Sequence, residues 1–145
     1  MPEKDYSHRA VVDKLGVTPG AAVRVVGGGA GAAALLAQVR ERTGRALSRT
    51  GPADVVLYWP KAVSEITPTL AELRAEIVPH GGIWVLTAKR GQQSSSGMDY
   101  LNQSDLIPLG LAAGLVDNKT CSVSEQESGM RFVIRRADRP AASRS

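Results

Sequence analysis

Four short stretches carry the residue types that could do chemistry. "VVGGGAG" (25–31) places Gly27, Gly28, Gly29 and Gly31 between an apolar run and an alanine-rich one. Glycines at a strand-to-helix junction let a phosphate or carboxylate approach backbone N–H groups that point outward from the helix start. The same spacing also makes a tight turn, with Gly31 allowing close helix–sheet packing, and both readings stand. "YWPK" (58–61) offers Trp59, able to stack on a base or to pack under a helix, and Lys61, able to hold an anion. Lys89 and Arg90 lead the polar, Gly/Ser-rich stretch "KRGQQSSSGMD" (89–99), which reads as a mobile surface loop or as a lid that closes on an anion. "RERTGRALSR" (40–49) holds four Arg and one Glu, a pattern that suits a solvated helix end.

Other reactive side chains form no constellation. His8 and His80 are the only two histidines, and neither has a Cys or Asp at metal-ligand spacing. Cys121 is the single cysteine and reads as an inert buried thiol, so no intrachain disulfide is available. Asp99 and Asp105 read as a loop residue and a helix cap. These patterns assign no catalytic residue and no metal ligand.

The elements that must position these residues follow from pattern. "YSHRAVVDKLGV" (6–17) reads as a helix capped by Ser7 and ended at Gly16. "AAVRVVG" (21–27), "ADVVLYW" (53–59) and "IWVLTA" (83–88) are apolar, β-branched runs that read as buried strands, and "RALS" (45–48) as a short one. Helices are expected over 30–44, over 64–78 with Thr67 as cap and Pro68 first, and over 104–115 with Asp105 as cap. "HGG" (80–82) reads as a turn. The strands 116–123 and 130–136 form a hairpin across "SEQESG". Alternating β and α units with continuous apolar strands predict an α/β three-layer sandwich with a mainly parallel sheet and a C-terminal antiparallel hairpin. In such a sheet, ligands bind beyond the carboxyl ends of the strands, where 25–31, 58–61 and 88–91 should meet.

Size and charge narrow the classes. A chain of 145 residues, 43% hydrophobic and 22% charged, suits one globular domain, here 1–136, with an N-terminal helix over 1–16 packed on it. Residues 137–145 read as a disordered Arg/Ala/Ser tail. Residues 135–145 hold four Arg and one Asp, so they carry +3 of the net +4. The remaining +1 does not make the broad basic face of a nucleic-acid binder. No apolar run reaches the roughly eighteen residues of a membrane span. The charged N-terminus lacks the apolar core of a signal peptide, which predicts a cytoplasmic protein. A homodimer through the edge of the final hairpin is a further expectation.

"LGVTPGAAVRVVGGGAG", "ADVVLYW", "LRAEIVPHGGIWVLTAKR" and "LAAGLVDNKTCSV…MRFVIRR" together resemble the class I S-adenosylmethionine-dependent methyltransferase fold over roughly residues 15–136. Gly27, Gly29 and Gly31 fall in the three positions of that family's GxGxG loop. "YSHR…VDKLGV", "DVVLYWPK" and "DLIPLGLAAGLVDNKTCSV" further resemble an uncharacterised family of short bacterial Rossmann-like proteins.

The departures from the methyltransferase pattern matter as much. Val25 and Val26 stand where an acid usually supports the methionine end of the cofactor. Leu47-Ser48-Arg49 replaces the acid that usually holds the ribose, the third strand is missing, and Tyr58-Trp59-Pro60-Lys61 replaces the acceptor-site motif. Gly27, Gly29 and Ala32 also fit GxGxxA, a dinucleotide fingerprint, and Ser48 with Arg49 then resembles the 2′-phosphate site for NADP. The expectation is a methyltransferase-like domain without catalysis that binds a small anionic or nucleotide ligand, or a protein partner. A small methyltransferase and an NADP-binding module are the alternatives. The cofactor-binding candidates are Gly27, Gly28, Gly29, Gly31, Ser48, Arg49, Trp59, Lys61 and Lys89.

Overall fold

The computed structural model describes residues 10–139. The β-branched runs form a five-stranded sheet in the order β1 (Val23–Val26), β2 (Ala53–Tyr58), β3 (Ile77–Ala88), β5 (Glu127–Ile134), β4 (Leu115–Ser122). Pairings β1–β2 and β2–β3 are parallel, while β3–β5 and β4–β5 are antiparallel. The sheet is therefore evenly mixed, not mainly parallel: the terminal hairpin is long enough to supply as many pairings as the βα units do. Among the described residues the α-helices are α1 (Val11–Lys14), α2 (Ala33–Thr43), α3 (Ile66–Arg74) and α4 (Gln103–Ala112).

Strand alternation sends side chains to two separate cores. Val55, Leu57, Trp84 and Leu86 join Val12 and Leu15 near α1 and Val39 of α2. Val56, Tyr58, Ile83 and Val85 join Ile66 and Leu70 of α3, Leu106 of α4 and Phe132. Both faces of β2 and β3 are thus buried, which is why these strands read as unbroken apolar runs. Gly110 brings α4 close against β5: a Cβ there would lie 2.5 Å from Phe132 Cδ1.

Several element boundaries differ from the expectation. "RALS" forms no strand; the stretch only lies alongside, with Ser48 N donating to Val23 O at 2.7 Å. It is too short to lay a ladder before Gly51 and Pro52 turn the chain back. Residues 80–82 form no turn but continue β3, because the register slips between Ala53 and Val55 absorb the extra residues as a bulge. Helix α4 is capped by Asn102, whose side-chain oxygen accepts from Ser104 N at 2.8 Å, and not by Asp105. That earlier start leaves Pro108 inside the helix, beyond its first turn. Thr67 is no cap either: α3 begins at Ile66 after a 3-10 turn, and Thr67 Oγ1 donates to Leu109 O at 2.9 Å, tying α3 to α4. The helix expected over 30–44 divides into a 3-10 turn, Ala30–Ala32, and α2, and it stops at Gly44 in the left-handed region as expected. Strands β4 and β5 are joined by four residues, not six.

Ser7, His8 and residues 140–145 lie outside the described residues. Of the tail, Arg136–Asp138 form a short 3-10 turn. No helix among the described residues is long and apolar enough to cross a membrane.

Candidate functional site

The carboxyl ends of β1, β2 and β3 bring the glycine loop, Trp59 and the Ser-rich loop together. Gly27, Gly28 and Gly29 all have positive φ, of 82°, 98° and 53°. Trp59 N donates to Val26 O at 2.9 Å, which places residue 59 directly against the loop. A Cβ on Gly27 would lie 2.5 Å from Trp59 O, and one on Gly28 would lie 3.0 Å from Trp59 Cε3. A Cβ on Gly31 would lie 3.0 Å from Ser95 Oγ. The glycines are needed here to admit the chain's own indole and serine. Of the two roles open to Trp59, packing is the one observed: it is 1% exposed.

A buried carboxyl locks this arrangement. Glu127, 5% exposed, opens β5 at the same end of the sheet. Its Oε1 accepts from Trp59 Nε1 at 3.2 Å, and its Oε2 accepts from Ser95 N at 2.6 Å. Ser96 Oγ donates to Pro60 O at 2.5 Å, and Ser94 N donates to Met98 O at 2.9 Å. The loop 89–99 is therefore not a free surface segment: Ser94 and Met98 are buried, and the loop is stitched across the mouth of the crevice.

The remaining candidates disperse. Lys61 is exposed just beyond Pro60. Lys89 donates from Nζ to Ser122 Oγ at 2.7 Å, at the end of β4. The Arg90 guanidinium sits 4.9 Å from the centre of the Tyr100 ring. Ser48 and Arg49 lie beside the start of β1, four residues from Gly27, or about 13 Å along a strand. There they flank Arg24, whose side chain is 11% exposed and pairs with Glu76 at 2.6 Å. Val25 and Val26 each pack against a core cluster. His80 is exposed at the opposite end of β3. Cys121 is half-buried, and burial pushes its thiol pKa up, against a smaller lowering by Lys14.

Glu127 and Ser95 are the site residues that sequence reasoning missed. Glu127 falls in a polar run that reads as a turn, and Ser95 is one of three consecutive serines. Only the β5 register, which brings Glu127 level with Ala88, reveals them.

Among solved structures, the chain is similar to a SAM-dependent methyltransferase from Aquifex aeolicus, with TM-score 0.65 and 15% identity over 86% of this chain and 88% of that one. It is also similar to CalO1, a methyltransferase in calicheamicin biosynthesis solved in its SAH-bound form, with TM-score 0.61 and 16% identity over 88% of this chain and 54% of that one. A third is the 1,6-didemethyltoxoflavin-N1-methyltransferase of Burkholderia thailandensis, with TM-score 0.56 and 16% identity over 87% of this chain and 77% of that one. At these identities the likeness establishes a methyltransferase-like fold and no activity. No curated protein matches the chain in sequence. A family model described as a protein of unknown function, DUF3052, matches residues 12–136, nearly all of the described chain, so the protein belongs to the DUF3052 family.

Proposed function

We propose that this protein is a non-catalytic methyltransferase-like domain that acts by binding, in a regulatory or structural role, a small anionic or nucleotide ligand or a protein partner. One observation carries the reading: Trp59 and Ser95 press against Gly27–Gly31, with Glu127 holding both in place. Supporting it, the positions that would hold a methyl donor are apolar or dispersed. Val25 and Val26 are core residues, and Ser48 and Arg49 stand away from the glycine loop.

The alternative of a small S-adenosylmethionine-dependent methyltransferase is favoured by the solved structures, two of which contain S-adenosylhomocysteine by their own descriptions. In that case the Ser95 loop must swing away, leaving Gly27, Gly28, Gly29, Gly31 and Trp59 against the ligand, with Lys61 and Lys89 at the mouth. An NADP-binding module needs the same opening and a closer approach of Ser48 and Arg49.

Thermal unfolding with S-adenosylmethionine, S-adenosylhomocysteine, NADP(H) and ATP in separate samples tests these readings. A ligand at 100 times its Kd adds about 2.7 kcal/mol of stability. Neither S-adenosyl compound is expected to stabilise the protein. Stabilisation by S-adenosylhomocysteine would overturn the non-catalytic reading.

A further inference from the structure

The opposite end of the sheet holds a cavity of about 380 Å³, where the parallel strands begin. Its charged lining comes from Lys14, Lys119 and Arg131, with His80 and Asp54 beside them. The volume lies in the range of small-molecule sites.

Three features of this lining call for an anion. First, Lys119 and Arg131 are direct cross-strand partners on β4 and β5. Like charges placed opposite one another on adjacent strands repel, so the pairing is unfavourable unless something negative lies between them. Second, the Arg131 guanidinium is half-buried over Gly82: a Cβ on Gly82 would lie 2.6 Å from its Cζ. Only glycine at 82 admits this pose, and no hydrogen bond or ion pair answers the guanidinium among the described residues. Burial, and secondarily the charge of Arg139, lower the pKa of Arg131, the mark of a cation held without a counter-charge. Third, the one acid in the lining, Asp54, forms no ion pair with these cations among the described residues: its Oδ2 accepts from Ala22 N at 2.8 Å, and the lining stays net positive. Trp84 at the cavity wall has likewise spent its indole N–H on Leu15 O, at 2.9 Å. Lys14 Nζ is tethered to Ser122 O at 3.2 Å and retains two further donors.

We propose that this cavity binds a small phosphate-bearing anion, gripped by the Arg131 fork and neutralised by Lys119 and Lys14. A phosphate suits the set better than a single carboxylate: it brings about two negative charges to a lining of three cations and one carboxylate, and offers several oxygens to a planar guanidinium. The site needs neither an open crevice nor a methyl donor, so it goes beyond the reading given above.

The test is thermal unfolding of the full chain in inorganic phosphate and in glycerol 3-phosphate, each against chloride at equal ionic strength. Both anions are expected to raise Tm in the natural protein, with glycerol 3-phosphate ahead if the cavity takes an ester. Lys119→Gln alters an exposed edge-strand residue and is expected to leave the fold intact, while Arg131→Gln removes the fork. Each is expected to weaken phosphate binding at least about tenfold, the loss typical of one charge-assisted contact. No stabilisation beyond chloride, or a stabilisation that both variants keep, would overturn the proposal. A response to NADP or ATP that survives both variants belongs to the crevice, so the two readings fail separately.

Discussion

Glu127 carries an unusual share of the crevice for one side chain. Each of its oxygens answers a donor, Trp59 Nε1 or Ser95 N, that has no other partner among the described residues. Replacing Glu127 with Ala leaves both donors unsatisfied, and each costs about 1–3 kcal/mol when buried. Urea unfolding is expected to show a loss of this order for Glu127→Ala and a smaller one for Glu127→Gln, which retains one acceptor. An unchanged midpoint in Glu127→Ala would mean that the carboxyl does not hold the loop. Tyr58 gives a second test, in pH. Its phenol is fully buried and donates to Glu65 Oε2 at 2.8 Å. Burial, and then the Glu65 carboxyl, raise its pKa above the ordinary value of 10.0, against an opposing hydrogen bond with Thr69. A raised folded pKa stabilises the protein below the unfolded pKa, and that stability is lost as pH climbs, because the unfolded chain ionises first. The stability gap between natural protein and Tyr58→Phe is therefore expected to be constant to about pH 9 and to narrow above pH 10. Equilibrium unfolding at pH 7, 9 and 10.5 measures it, and a constant gap would refute the assignment. At this scale the sequence was least legible: Trp59 could be seen, but the carboxyl 68 positions away that fixes its indole could not.

Elements were legible wherever periodicity was long. β2, the second half of β3 and α2 follow directly from apolar runs and from Gly44. Boundaries that depend on tertiary partners did not follow. Thr67 has the chemistry of a cap, but Leu109 O recruits its hydroxyl instead. His80-Gly81-Gly82 has the composition of a turn, but β2 and Arg131 together hold it extended. "RALS" has the composition of a strand, but Gly51 and Pro52 turn the chain back just beyond it, and Arg24 reaches past it to Glu76 and to the Gly51 carbonyl. Helix α4 has the tightest packing constraint. Gly110→Ala would push a methyl into the Phe132 ring, and overpacking of this kind costs about 1–3 kcal/mol. Chemical denaturation should show a lowered midpoint with an unchanged slope. A neutral result would mean that α4 can lift from the sheet without penalty.

For the whole molecule, the sequence pattern anticipated helices on both faces and a reversed strand pair at one edge, and its resemblance to the methyltransferase fold holds at the level of fold. It did not anticipate the polarity of the sheet's two ends. The carboxyl end, where ligands of this architecture ordinarily sit, is closed by the chain itself. The amino end gathers Lys14, Lys119 and Arg131 from three separate segments, spaced too widely for any local motif to show them. Charge counting along the chain drew attention to 40–49 and to the tail, whereas the folded cluster draws one cation from each of three unremarkable stretches.

The two tryptophans divide the same way. Trp59 and Trp84 are the only indoles in the chain, both 1% exposed, both in one core, yet one is bonded at the closed mouth and the other at the cationic one. Each N–H has a single acceptor, Glu127 or Leu15 O, whose loss would change the polarity felt by that ring alone. The protein thus carries an intrinsic optical label at each pole. Emission from single-tryptophan variants would report at which pole a ligand acts, Trp59 for the closed mouth and Trp84 for the cationic cavity.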